Sequence, residues 1–309
     1  MNQEPVHIIF LKVKIMTYEN FREEFINRIK SYLPPEYEFW KSDLHTVHKV
    51  NCTLDGFSLI PVQTHPERSA YPVFYIQDLF AMYESGVDLD SVLTLVADMI
   101  VNLPVPTELQ DMGVDISEVK ESIVVQLINC ERNQELLREH PHRNFMDLAA
   151  VYRLLTFNEE RGWSGMLVTN SLMKEWNMTE EDLYEIAWKN TPELLPFQLK
   201  TSGRIFQSGV VLEENQNRFC ILTNEHLMYG AATMLYTDVL EMAAAQLGGS
   251  YLILPGSMHE LYLTRESCES ASSWKEAVYL ANRELVELQD ILSDNVYYYD
   301  CMKKTINVL

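Results

Sequence analysis

The sequence predicts a mixed α+β fold: an N-terminal helix with a β-hairpin and a third strand, then a larger layered part with a mixed sheet and flanking helices. Two observations support this prediction. Apolar helical stripes alternate with short β-branched runs, and proline and glycine clusters separate them. The chain has 309 residues, of which 47% are hydrophobic. At this length roughly 75% of the unfolded surface is buried on folding, so the core needs no metal or disulfide.

The N-terminal unit is predicted to begin with a helix. Thr17 is a favourable N-cap before an apolar stripe that ends at Pro34-Pro35. Residues 37–62 have the composition of β-strands, and Asp55-Gly56 is a dipeptide favoured in type I′ turns. We therefore expect a hairpin centred on Asp55-Gly56. The remaining predicted elements are a strand at 72–76 and helices at 78–84 and 88–102.

The larger part is predicted to follow a proline-rich linker at residues 104–113. Its predicted strands are 123–129, 145–156, 166–169, 219–223, 251–254, 260–264 and 296–299. Its predicted helices are 131–139, 170–177, 179–190, 231–247 and 273–292. Pro192 is expected to end the helix that Thr179 caps. The alternation after residue 165 allows some parallel pairing, but a hairpin around Pro255-Gly256 favours a mixed sheet.

These boundaries predict two units, at residues 16–112 and 113–309. Residues 1–15 are a possible N-terminal extension, because Met16 directly precedes a well-capped helix. An edge strand at residues 6–13 is the alternative for that segment. A single continuous domain is the alternative for the whole chain.

The charge balance argues against two classes of partner. Asp and Glu number 45 and Lys and Arg number 24, which gives a formal net charge of −21. A surface this negative repels nucleic-acid phosphates and anionic membranes. The sequence contains no run of 18 apolar residues, which is about the length that a membrane-spanning helix requires. We therefore expect neither a nucleic-acid nor a membrane partner.

The cysteines indicate a reducing compartment. They are five in number, widely spaced, and include no Cys-x-x-Cys pair: Cys52, Cys130, Cys220, Cys268 and Cys301. This pattern fits neither a disulfide framework nor a zinc ribbon. The sequence therefore predicts a cytoplasmic protein.

Established cofactor and catalytic motifs are absent from the sequence. It contains no phosphate-binding glycine loop, no G-x-G-x-x-G, no nucleophile elbow and no H-E-x-x-H. His45 and His48 lie in a predicted strand, where a spacing of three places them on opposite faces. We therefore predict no cofactor and no metal site.

One polar cluster remains as a candidate site. It lies between two predicted strands, and its candidate residues are Arg132, Asn133, His140, His142 and Asp147. The two histidines could act as acid and base, Asp147 could orient an imidazole, and Arg132 could hold an anion. The structural alternative pairs Arg132 with Asp147, lets Asn133 cap a turn, and leaves the histidines in a surface turn.

Four segments resemble a known family. They are residues 127–149, 222–232, 253–260 and 292–297, with sequences such as Leu-Ile-Asn-Cys-Glu-Arg-Asn and Leu-Pro-Gly-Ser-Met-His-Glu. Together they resemble a family of uncharacterised proteins, a domain of unknown function that is common in anaerobic gut Firmicutes. The resemblance extends over residues 17–302. It implies a bacterial protein and no particular activity.

Two hypotheses of function follow. The first is a non-enzymatic binding or regulatory protein that acts through protein contacts, with an exposed apolar patch near Trp163 or the tyrosines at 297–299. The alternative is a cofactor-free enzyme or small-ligand binder that uses the polar cluster at 129–147. The absence of catalytic motifs favours the first hypothesis.

Overall fold

The computed structural model describes residues 16–62, 71–102, 115–158, 162–201, 219–265 and 271–309. These residues fall into two compact units. The first contains the described residues of 16–47 and 53–102, and the second contains 48–52 with the described residues from 115 onward. The possible extension at 1–15 and the predicted boundary near residue 113 lie outside the described residues.

The first unit combines three helices with a three-stranded sheet. Its elements are α1 (Tyr18–Arg28), β1 (Lys41–Lys49), β2 (Cys52–Ile60), β3 (Phe74–Tyr75), α2 (Ile76–Glu84) and α3 (Leu89–Asn102). The sheet order is β1-β2-β3. Thr17 caps α1 by accepting a hydrogen bond from the Asn20 N–H at 3.4 Å, which confirms the predicted helix start. Phe25 packs edge-on against Phe57 in the core, with ring centroids 5.3 Å apart.

The predicted turn at Asp55-Gly56 is wrong. Both residues lie inside β2, and the chain reverses at Val50-Asn51, where Asn51 adopts a left-handed φ of 59°. Asparagine tolerates this conformation better than most residues. Gly56 is needed for close packing, since a Cβ there would lie 2.8 Å from Val47 and 2.9 Å from Val73. The glycine signal therefore reflected packing and not chain reversal.

The second unit contains two sheets and six helices among its described residues. The elements are α4 (Ile116–Val119), β4 (Ile123–Asn129), α5 (Gln134–Glu139), β5 (His142–Phe145), β6 (Leu148–Asn158), β7 (Gly162–Leu167), α6 (Asn170–Glu175), α7 (Glu180–Leu194), β8 (Phe197–Thr201), β9 (Phe219–Asn224), α8 (Thr237–Leu247), β10 (Tyr251–Pro255), β11 (Leu261–Arg265), α9 (Ala271–Glu284), β12 (Tyr297–Asp300) and β13 (Thr305–Val308).

Both sheets of the second unit are antiparallel throughout their described strand pairs. One has the order β4-β6-β5 with β7 also paired to β6, and the other has the order β13-β12-β10-β11-β9-β8. The α+β class and the hairpin around Pro255-Gly256 are confirmed. The expected parallel pairing and mixed sheet are wrong, because every strand pair among the described residues of this unit is antiparallel.

Pro192 does not end its helix. The helix α7 continues to Leu194, with Pro192 in its last turn. Proline lacks the N–H that would bind the Trp188 carbonyl four residues earlier. The hydroxyl of Tyr236 donates to that carbonyl at 3.1 Å instead, so a tertiary contact replaces the missing hydrogen bond.

A turn that shapes the candidate site divides the predicted strand at 145–156. The chain reverses at Met146-Asp147 between β5 and β6, with Met146 at a φ of 58°. Likewise, the long predicted helix at 231–247 is a 3₁₀ segment, Gly230–Leu235, followed by α8.

Among the described helices, none is both long and apolar enough to cross a membrane.

Candidate functional site

A polar cavity lies at the end of β4 in the second unit. Its volume is about 1060 Å³, and it is open to solvent on one side. Its walls come from the β4–α5 connection and α5, from β5 with the turn that follows it, and from the segment before β12. The lining residues are Asn129, Cys130, Glu131, Arg132, Gln134, Leu137, Arg138, His142, Asn144, Asp147, Ser293, Asp294 and Asn295.

Local hydrogen bonds form the floor of the cavity. Asn129 Oδ1 accepts from the backbone N–H of Arg132 at 3.0 Å, which turns the chain as it leaves β4. The Cys130 N–H donates to the Asp147 carbonyl at 2.9 Å and joins this turn to the one between β5 and β6. Polar side chains at the ends of strands are held rigidly by such contacts.

Asp147 links the turn between β5 and β6 to the segment before β12. Its carboxylate accepts hydrogen bonds from Ser293 Oγ at 2.6 Å, Asn295 Nδ2 at 3.0 Å and the Tyr297 hydroxyl at 2.9 Å. Burial, together with the charge of Asp147, raises the pKa of the Tyr297 phenol, which therefore stays a donor. Asp147 thus has three partners that fix it in place, and none of them is the imidazole that the sequence hypothesis gave it.

Arg132 pairs with Asp294, with Nη2 3.3 Å from Oδ2. The structural alternative, an Arg132–Asp147 pair, is therefore wrong. Asn282 and Arg283 donate to Asp294 Oδ1 at 2.9 and 3.1 Å. Burial alone would raise the pKa of Asp294, but these hydrogen bonds and the charges of both arginines lower it below its ordinary value of 3.8. Asp294 is therefore ionised and holds one edge of the Arg132 guanidinium.

His142 and Asn144 face the cavity because they are two residues apart on β5. His142 Nδ1 lies 2.9 Å from the carbonyl of His140. Since a carbonyl only accepts, Nδ1 carries the proton and Nε2 of the neutral ring is an acceptor. Nε2 has no hydrogen-bond partner among the described residues. Arg143, between them, binds Glu180 of α7 instead.

His140 and Asn133 do not line the cavity. His140 is 9% exposed, and its Nδ1 donates to the Leu136 carbonyl at 2.7 Å at the end of α5. Asn133 is 2% exposed and bonds with Asn51 and with the Asn129 carbonyl. Of the five predicted site residues, the cavity thus brings together Arg132, His142 and Asp147, whereas these two support the chain around it.

The prediction missed Cys130 and the segment 293–295 as parts of this site. Cys130 lies beside Asn144, with its Sγ 3.9 Å from Oδ1. Burial and, to a lesser degree, the charge of Asp147 raise the pKa of the Cys130 thiol. The thiol therefore stays protonated and is a poor nucleophile. The signal that could have indicated 293–295 was the polar run Ser-Asp-Asn within a resembling segment.

The cavity presents unpartnered hydrogen-bonding groups. Asn129 is 8% exposed, and its Nδ2 has no hydrogen-bond partner within the described part of the chain. None of the described lining residues is Phe, Tyr or Trp, and Leu137 is the only aliphatic side chain among them. Within the described ranges, His, Cys, Asp and Glu form no group of three that could hold a metal ion. Asn129 Nδ2 and His142 Nε2 therefore offer one hydrogen-bond donor and one acceptor to the cavity.

A protein family described as a family of unknown function (DUF5688) matches residues 18–301 of the chain. No curated protein matches the chain at a significant level. No solved structure does so either.

Proposed function

Because the chain belongs to the DUF5688 family, whose description assigns no activity, we propose a function from the geometry of the cavity alone: the protein binds a small polar ligand. One observation carries the proposal. Unpartnered groups of Asn129 and His142 line the same cavity as Arg132, which Asp294 holds in position. Binding sites place a few fixed polar groups in a concave surface in this way.

Binding is favoured over catalysis by the state of the candidate acid–base groups. His140 is buried, so His142 supplies the one imidazole among the described residues that line the cavity. Asp147 is engaged by three donors and orients no histidine. The protonated thiol of Cys130 is not an activated nucleophile. Among the described lining residues, neither Asp147 nor Cys130 is therefore free to act with His142 as an acid–base pair.

A thermal-shift screen tests the proposal. The probes are four classes of small molecule: amino acids, hydroxy acids, simple sugars and nucleotides. We expect at least one class to raise the melting temperature of the wild type and of Arg28→Gln, a control arginine paired with Asp90 in the first unit. The double variant Arg132→Gln/His142→Ala should lose that response. If no class shifts the wild type, or if the double variant responds like the wild type, the proposed site is wrong.

A second candidate function is contact with a protein partner. Phe157 on β6 is 60% exposed and packs at a tilt against the partly buried Trp163, with ring centroids 5.2 Å apart. An exposed Phe supported by a Trp in this way is typical of the centre of an interface. Since the chain carries a net charge of −21, the partner we propose has an apolar contact surface with a basic rim.

Two matched variants test this second candidate. Phe157→Ser should abolish binding to a purified basic partner identified by cross-linking. Phe39→Ser should not, although Phe39 is 77% exposed, because it lies in the first unit. Higher salt should weaken the complex. Equal binding by the two variants would rule out the Phe157 surface.

We infer that the protein works in the cytosol of a bacterial cell. The resemblance to a family from anaerobic gut Firmicutes supports a bacterial source. Among the described residues, Cys130, Cys220 and Cys301 are free thiols, as expected in a reducing compartment. Fractionation of the source cells tests the inference, and recovery in the extracytoplasmic fraction would contradict it.

A further inference from the structure

We propose that the ligand of this cavity is a small carboxylate that also carries a hydroxyl or amino group. The carboxylate would bind Arg132 and the amide of Asn129, and the hydroxyl or amino group would donate to Nε2 of His142. This inference rests on the proposed function and adds the chemical class of the ligand.

Arg132 supplies a cation that is already oriented. Asp294 binds its Nη2, and Asp294 is itself held by Asn282 and Arg283. A guanidinium presents five donors in a rigid fork, so fixing one edge leaves the remaining N–H groups aimed at one place. Planar forks of this kind match the two oxygens of a carboxylate.

Asn129 supplies a second donor on the same wall. Its Oδ1 is bound to the Arg132 backbone, so the orientation of its amide is fixed and Nδ2 remains unpartnered. The residue is 8% exposed. Since Asn129 lines the open cavity, its Nδ2 can donate to an acceptor on a ligand. Arg132 and Asn129 together therefore select an anionic oxygen.

His142 selects a hydrogen-bond donor on the ligand, whereas Arg132 and Asn129 select an acceptor. Its Nδ1 donates to the His140 carbonyl, which leaves Nε2 as an acceptor towards the cavity. An acceptor selects a ligand group with a hydrogen to donate, such as a hydroxyl or an amine. A plain carboxylate lacks that group, so it would leave Nε2 unsatisfied.

The other charges of the cavity argue against other ligand classes. Asp294 is paired with Arg132 and Arg283, so it attracts a cation only weakly. Both oxygens of Asp147 already accept hydrogen bonds from the protein's own donors. The described lining residues include no Phe, Tyr or Trp, so a nucleobase would find no large aromatic ring to stack on. Glu131 lines the rim and has no ion-pair partner within the described residues, and it would favour an amino group over a hydroxyl.

The test compares matched probes by calorimetry with the full chain. Lactate and alanine carry both groups, propionate lacks the donor, and lactamide lacks the charge. Malate, aspartate and succinate form a longer set that differs only in the donor group. We expect the best hydroxy or amino acid to bind about tenfold or more tightly than its unsubstituted carboxylate and its neutral amide, since charged hydrogen bonds are the stronger ones.

Two variants test the contacts of Arg132 and His142, and a third is the control. Arg132→Gln should weaken binding of every carboxylate probe about tenfold or more. His142→Ala should reduce the hydroxy or amino acid to the affinity of the unsubstituted carboxylate and leave the latter unchanged. Arg28→Gln is the control and should match the wild type. Urea unfolding of each variant confirms that it is folded before its binding is measured.

The outcomes separate the two proposals. If sugars or nucleotides bind through Arg132 and His142 and the carboxylates do not, the binding function stands and the ligand class is wrong. Equal affinity for the best hydroxy or amino acid and its unsubstituted carboxylate, or for that acid and its neutral amide, overturns the class as well. If no probe of any class binds, both the class and the binding function are overturned. A preference of alanine over lactate would assign the donor as an amino group, and the reverse would assign a hydroxyl.

Discussion

Asn133 and Asn51 are joined by two hydrogen bonds in the second unit. Asn133 Oδ1 accepts from the Asn51 backbone N–H at 2.6 Å, and Asn133 Nδ2 donates to Asn51 Oδ1 at 2.8 Å. The Asn51 amide also donates to the carbonyls of Leu288, Gln289 and Ile291. Both asparagines are at least nine-tenths buried. A residue that the sequence placed among the candidate site residues thus holds segments together beside the cavity.

Asn133→Ala is therefore expected to destabilise the protein, whereas His142→Ala is not. The alanine leaves the buried Asn51 N–H without an acceptor, which costs about 2–3 kcal/mol in the free energy of unfolding. His142 loses one bond to a carbonyl beside an open cavity, so we expect a change of about 0.5 kcal/mol or less. Urea unfolding measures both. A large loss in the free energy of unfolding for His142→Ala would assign His142 a structural role.

Asp294 is expected to make stability depend on pH in the acid range. Its pKa in the folded protein is lowered below 3.8. The free energy that the ionised carboxylate adds to folding is therefore fully present above the pKa of the unfolded chain and is lost as the pH falls through the pKa of the folded protein. Asp294→Asn should cost up to about 1 kcal/mol at pH 7, as is typical of a partly exposed ion pair. Below pH 3.8 the difference from the wild type should shrink. Urea unfolding at pH 7, 5 and 3 measures it, and a constant difference would contradict the assignment.

Cys130 is expected to react slowly with iodoacetamide. Its pKa is raised above 9.0 by burial and by the charge of Asp147, so the thiolate is scarce at neutral pH. Site-resolved mass spectrometry should show a rate below that of glutathione at pH 7.5, still rising above pH 9. Asp147→Asn should accelerate Cys130 and leave Cys301 unchanged. Fast labelling of wild-type Cys130 at neutral pH would contradict this state of the thiol.

Gly230→Ala is expected to be strongly destabilising. A Cβ at this position would collide with the His259 carbonyl and with the backbone of Thr223, and backbone atoms cannot rotate away. We expect a loss of about 3 kcal/mol in the free energy of unfolding. Gly165→Ala is the control, because its nearest neighbour is the flexible end of Leu155 at 3.2 Å, and it should cost about 1 kcal/mol or less. Equal losses would show that the close approach at Gly230 is not needed.

The sequence predicted well the elements that depend on local signals. The strand at 123–129 was predicted with its observed bounds, because a β-branched run between polar residues has few alternatives. The helix after Thr179 begins where predicted, since Thr179 and Asp182 form a capping box within four residues. By contrast, the exposed patch suggested at residues 297–299 is wrong, because Tyr297 and Tyr299 of β12 are fully buried and Tyr298 lies on the opposite face.

The candidate site was predicted only in part. The polar cluster identified Arg132, His142 and Asp147 as neighbours because all three lie close to strand ends. It could not show that Asn133 and His140 point into the protein, because side-chain direction depends on where α5 packs. The sequence analysis also missed residues 293–295, which complete the cavity and lie more than 140 positions after Asp147.

The sequence by itself determined the α+β class, most elements and the acidic surface, because periodicity, caps and net charge act within a few residues or on the whole chain. The tertiary structure decided the turn at Asn51, the continuation of α7 through Pro192 and the cavity at the end of β4. Each depends on a partner distant in sequence: Asn133 for Asn51, Tyr236 for the Trp188 carbonyl, and Ser293 for Asp147. Such contacts leave no local pattern, because their free energy is gained only when folding brings the two segments together.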